Sequence, residues 1–131
     1  MKHELLAPAG DIEAGYAALY YGADALYLGL RQFSARATAT NFSQEDLCQI
    51  TGYAHSLHRK VYVTINTLIQ NSQIELLHRS LDDCLAAKID GVIVQDLGVA
   101  HLISECYPEL ELHASTQMAV HNKQGRSEER R

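Results

Sequence analysis

The chain has 131 residues, with 16 acidic against 11 basic side chains and a formal charge of -5. That length supports one domain with its own core, the composition excludes a disordered tail, and the acidic balance argues against a general nucleic-acid footprint while leaving room for a local basic patch. No apolar run approaches the roughly 20 residues that span a bilayer, and Met1-Lys2-His3-Glu4 leads into a strand instead of a secretion signal, so a cytoplasmic address without membrane attachment is expected.

The first unit runs from Glu4 to Leu30 and reads strand, helix, strand. Leu5, Leu6 and Ala7 form a short apolar run that stops at Pro8 and Gly10, and Asp11 is suited to cap a helix from Ile12. Tyr16, Leu19 and Tyr20 continue the helical spacing, Gly22 suits a left-handed closing turn, and Ala25 to Leu28 supply a second strand. A polar connection from Arg31 to Phe42 follows. Ser43 with Asp46 has capping-box spacing and opens a second helix, with Leu47, Ile50, Ala54 and Leu57 on one face. Val61 to Ile65 is the clearest strand, β-branched and aromatic, ending at Asn66.

Ser72 and Glu75 again show capping-box spacing before a helix that buries Ile74, Leu77, Leu81 and Leu85. Val92 to Val94 forms a fourth strand, and Asp96 is placed to cap a fourth helix that cannot easily pass Pro108. Leu110 to Ala114 completes five strands. Cys48, Cys84 and Cys106 are far apart and each falls in a helical pattern, so buried, inert thiols are expected instead of disulfides or a compact metal site. His55, His58, His78 and His101 read as surface or edge residues on helices.

Alternating strands and helices of these lengths specify parallel pairing through right-handed crossovers, an α/β fold. The first turn, Ala7 to Asp11, lacks a G-x-G-x-x-G phosphate loop, so a partial TIM-like (β/α) barrel is favoured over a nucleotide-binding sheet. A complete barrel typically needs about 250 residues, and about five of its eight strands are present. Ligands bind where strands feed into helices. Those positions are Pro8 to Gly10, Arg36 with Asn41, Asn66, Gln95 with Asp96, and His113 to Gln117 with His121. Alternation sets His113, Ser115 and Gln117 on one face of the fifth strand.

The blocks ELLAPAGD, GADALYLG, FSARATATNF, KVYVTINT, VIVQDLG and HASTQMAVHN resemble the start of the peptidase U32 or collagenase-like protease family. The match covers Glu4 to about Gly125, and VTINTLI, VIVQDLG and HASTQ are most similar to the branch that hydroxylates a cytidine of 23S ribosomal RNA. The resemblance implies a TIM-like barrel in the N-terminal part of a longer protein, labelled a hydrolase or acting in RNA hydroxylation, with RNA as a possible substrate. It also implies iron or an iron–sulfur cluster bound by later cysteines, which Cys48, Cys84 and Cys106 do not match. Residues 1–122 are therefore expected to form an incomplete barrel and residues 123–131 a charged tail foreign to the family, as in a truncated or frame-shifted product inactive on its own.

Several chemistries remain open for the rim. Arg36 offers a forked donor to a carboxylate or phosphate, and Asn41, Asn66 and Gln117 could bind substrate. Asp96, His113 and Ser115 have the residue types of a hydrolytic triad, without a G-x-S-x-G elbow. Asp96, His113 and His121 could instead form a two-histidine, one-carboxylate iron site, while Asp96 has the competing role of helix cap. Alternative readings are a non-catalytic ligand- or RNA-binding half-barrel, or an inactive remnant that forms a homodimer through exposed sheet edges.

Overall fold

The computed structural model describes residues 3–30, 42–65 and 69–115. Five strands, β1 (Leu6–Pro8), β2 (Ala25–Gly29), β3 (Lys60–Ile65), β4 (Gly91–Val94) and β5 (Glu111–Ala114), form one parallel sheet in chain order. Between them run α1 (Ile12–Tyr20), α2 (Gln44–Ser56), α3 (Ile74–Ala87) and α4 (Leu97–Cys106). No described helix is long and apolar enough to cross a membrane.

The strand order settles the architecture. A doubly wound sheet reverses direction at a switch point and carries helices on both faces, whereas unreversed order with crossovers of one hand places every helix on one face. Here Leu26 and Leu28, Val61, Val63 and Ile65, and Val92 and Val94 share one sheet face. They form a single core with Leu19 of α1, Leu47 and Ile50 of α2, Leu77 and Leu81 of α3, and Ile103 of α4. The other face carries Tyr27, Tyr62, Thr64, Ile93 and His113.

This second face is concave. Strands two apart in a flat sheet are separated by about 9.5 Å, yet the rings of Tyr62 on β3 and His113 on β5 lie 4.9 Å apart in an edge contact. Tyr62 is only 6% exposed although the helices lie on the other side. Inward side chains of a curling sheet converge in this way, and Gly91, the β4 partner of Tyr62, leaves room between the two rings.

Local chemistry explains the element boundaries. Asp11 accepts the Ala14 N–H at 2.7 Å, and Ser43 accepts that of Asp46 at 3.1 Å. The start of α3 differs from expectation: a 3-10 turn, Asn71–Gln73, precedes it, and the capping box pairs Gln70 with Gln73 instead of Ser72 with Glu75. Because that turn runs directly into α3, Ser72 already has helical neighbours and the free amides lie earlier. His58 also departs from expectation. It sits just past α2 with φ 58°, not on a helix.

Three helix-to-strand loops share one closure. Gly22, His58 and Lys88 have φ of 102°, 58° and 64°. The following residue bonds five positions back in each: Ala23 N–H to Ala18 O, Arg59 to Ala54 and Ile89 to Cys84, at 2.9, 2.8 and 3.3 Å. This is the Schellman arrangement, in which a left-handed residue turns the chain so that orphan helix carbonyls regain donors.

Candidate functional site at the carboxyl ends of the strands

The strand ends that feed into helices lie together on one rim, and the described part of that rim is held by hydrogen bonds to strand carbonyls. Ala9 N–H donates to Tyr27 O at 2.9 Å, Ser115 N–H donates to Val94 O at 2.7 Å, and the Thr64 hydroxyl donates to Leu28 O at 3.2 Å. Strand β5 places Glu111 and His113 on the concave face, with His113 opposite Ile93 of β4. Arg36, Asn41, Asn66, Gln117 and His121 lie outside the described residues.

Asp96 is the cap of α4. Its Oδ1 accepts the N–H groups of Gly98 and Val99 at 2.8 and 3.3 Å, and its Oδ2 accepts that of Ile69 at 3.1 Å. The carboxylate thus joins the start of α4 to the segment preceding α3. Both oxygens are engaged by amides, which fixes the orientation of the carboxylate.

His113 has different company. Its Nε2 lies 2.9 Å from Glu111 Oε1, close enough for an ion pair but outside hydrogen-bond geometry, and its ring meets the edge of Tyr62. Burial, then the carboxylates of Glu111, Glu4 and Asp90, push the Tyr62 hydroxyl up to about 12, so the phenol stays protonated. Asp96 and His113 make no hydrogen bond to each other. Among the described residues, no group of three or more His, Cys, Asp or Glu side chains could hold a metal ion. The thiols lie on three different helices, so the described residues do not fit iron or a cluster. Cys84 is buried and pushed up to about 12 by desolvation, as expected of an inert thiol, but Cys48 and Cys106 are exposed, against expectation.

The opposite, amino-terminal rim holds residues that local sequence patterns did not reveal. Asp24, just before β2, accepts the Leu5 N–H at 2.8 Å while its own N–H donates to Leu5 O at 2.8 Å. Asp90, just before β4, makes the same reciprocal pair with Val61, at 2.7 and 2.9 Å. Arg59 supports Asp24 at 2.7 Å, and His55 Nε2 supports Asp90 at 2.9 Å. Between α3 and the residue after α4, His78 Nδ1 lies 3.0 Å from the Tyr107 hydroxyl, which donates to Asp82 Oδ1 at 3.1 Å. The available signal was a repeat: Gly22-Ala23-Asp24 before ALYL and Lys88-Ile89-Asp90 before GVIV. In barrels of this kind the amino-terminal end serves stability, and ligand chemistry belongs to the other end.

Comparison with known proteins gives concordant matches. The family model for Peptidase family U32 matches residues 10–127. An uncharacterized protease of Methanocaldococcus jannaschii is 41% identical over 91% of this chain and 29% of its own length. The 23S rRNA 5-hydroxycytidine synthase of Escherichia coli is 40% identical over 89% of this chain and 17% of its own length. The tRNA hydroxylation protein P of Helicobacter pylori strain 26695 is 41% identical over 91% of this chain and 28% of its own length. The chain thus spans less than a third of these relatives. A solved U32 peptidase structure superposes with a TM-score of 0.76 at 13% identity, covering 98% of this chain and 55% of that one, a likeness of fold.

Proposed function

The chain belongs to peptidase family U32, and from that premise we propose that it supplies a five-stranded barrel segment to a protein acting in RNA base hydroxylation. The observation that carries this reading is the 40–41% identity, over about nine tenths of this chain, to relatives named for 23S rRNA and tRNA hydroxylation. In this reading the carboxyl rim forms part of the substrate pocket. Arg36 would hold an RNA phosphate or a carboxylate through its forked donors, and Asn41, Asn66 and Gln117 would contact the base or ribose. Asp96 would keep the β4–α4 turn in shape, and His113 would line the interior below it.

The test is a graft. Residues 4–115 replace the matching segment of the Escherichia coli relative in cells lacking that enzyme, and 5-hydroxycytidine in 23S rRNA is read by mass spectrometry. Restored modification is the expected result, with Arg36→Ala in the graft lowering it at least about tenfold, the effect of losing one charge-assisted contact. A folded, abundant graft with no modification would overturn the reading. The names of two relatives, the Methanocaldococcus protease and a collagenase of Porphyromonas gingivalis at 34% identity, favour a second reading as part of a peptidase. Gelatin cleavage by the same graft, alongside absent RNA modification, would select it.

A further inference from the structure

Helix α1 lacks the charged outer face of an ordinary surface helix. Residues 14–23 carry no charge, where a helix covering a sheet normally turns charged side chains to solvent. Gly15 lets α2 come close, since a Cβ there would stand 3.1 Å from Ile50 Cδ1. That approach brings Tyr16 of α1 against Tyr53 of α2, edge to face with ring centres 4.9 Å apart. One turn further on stand Tyr20 and Leu57. Together they form one strip along the groove between the helices. Tyr20 is 78% exposed, Tyr53 39% and Leu57 40%, and Tyr21 braces Tyr20 through a ring contact at 5.1 Å. Their exposed apolar area is about 300–400 Å², the size of a functional patch on a small protein. The strip lies between two neighbouring helices and owes nothing to how the sheet continues beyond β1 or β5.

We propose that this tyrosine strip is a dimer contact, occupied by the same strip of a second copy of this chain turned antiparallel. Area, chemistry and charge select that occupant. Two copies face to face bury about 700 Å² from the strip, and the exposed Ala17, Gln49, Gly52 and Ser56 around it bring the total to about 1,000 Å², enough for a specific interface. Each tyrosine hydroxyl both donates and accepts, so it can meet its own counterpart, and an uncharged centre does not repel its copy. Glu13 and Asp46 mark one end of the groove, His58 and Arg59 the other. Antiparallel pairing therefore keeps the acidic ends apart and turns each toward the second copy's His58 and Arg59. A nucleic acid fits less well, because its stacking platforms lie in basic grooves and Arg59 is already paired with Asp24 at 2.7 Å. The contact is made by helices instead of strand edges, and it is independent of the RNA reading.

Sedimentation equilibrium of the intact chain tests it. A dimer is expected at about 100 μM chain, and Tyr20→Glu should weaken it at least about thirtyfold with an unchanged circular dichroism spectrum. In the antiparallel arrangement Ala17 lies beside the two-fold axis. Where Cys48→Ser and Cys106→Ser remove the exposed thiols, Ala17→Cys should cross-link most of the chain on oxidation and Ala14→Cys should not. A monomer at that concentration, a dimer indifferent to Tyr20→Glu, or a dimer that Ala17→Cys fails to cross-link would overturn the proposal. A monomer that binds single-stranded RNA, and loses it on Tyr20→Glu, would overturn it equally and assign the strip to RNA.

Discussion

At the amino ends of the strands, three loops close with the same left-handed residue and two aspartates clamp neighbouring strands by the same pair of bonds. At the carboxyl ends the connections share no such pattern: Asp11 and Asp96 cap by carboxylate, Ser43 by hydroxyl, and the 3-10 turn before α3 by a glutamine box. One end repeats because it solves a single problem, bringing a helix back to a strand. The other varies because each loop is released from that problem and can present different chemistry, as binding loops on a rigid scaffold do.

That contrast can be broken at the amino end first. Gly91 lies where a Cβ would stand 2.5 Å from the Glu111 carbonyl oxygen, so Gly91→Ala should cost about 3 kcal/mol or more and detach β5, seen as a lowered urea midpoint. Asp90→Ala removes the acceptor of Val61 N–H and the partner of His55, and a loss of about 2–3 kcal/mol is expected by the same measurement. At the carboxyl end the effect should be smaller. Asp96→Asn keeps a carbonyl oxygen for the α4 amides and should cost only about 1 kcal/mol. RNA modification by the graft should survive it, and complete loss at unchanged melting temperature would give Asp96 a chemical role. The smallest change sharpens the comparison: Lys88→Gly relieves a left-handed lysine and should stabilise by about 1 kcal/mol. No gain in thermal unfolding would show that the loop tolerates its φ without strain.

The local elements were legible because their causes are local. The strand from Val61, the caps at Asp11, Ser43 and Asp96, and the closing turn at Gly22 follow from residues within a few positions of one another, and the structure contains them. At the start of α3 two polar pairs with the same spacing, Gln70 with Gln73 and Ser72 with Glu75, compete within six residues, and the structure uses the first. The clamps at Asp24 and Asp90 are not legible in the sequence because their partners lie 19 and 29 positions away, where periodicity carries no information. For the same reason His55 and His78 read as surface residues although each has a polar partner on a distant element. The candidate site was legible as a set of strand ends, and the competing cap role of Asp96 could be foreseen from Gly98 nearby. The Tyr62 contact of His113 depends on sheet curvature, which no short stretch encodes.

Strand order in this sheet is identical to chain order. During synthesis each described strand after β1 therefore leaves the ribosome to find its preceding neighbour already in place. Pairing between adjacent units keeps loop closure short and the entropy cost of each addition small. Such a chain can assemble stave by stave, so that growth of the fold keeps pace with translation.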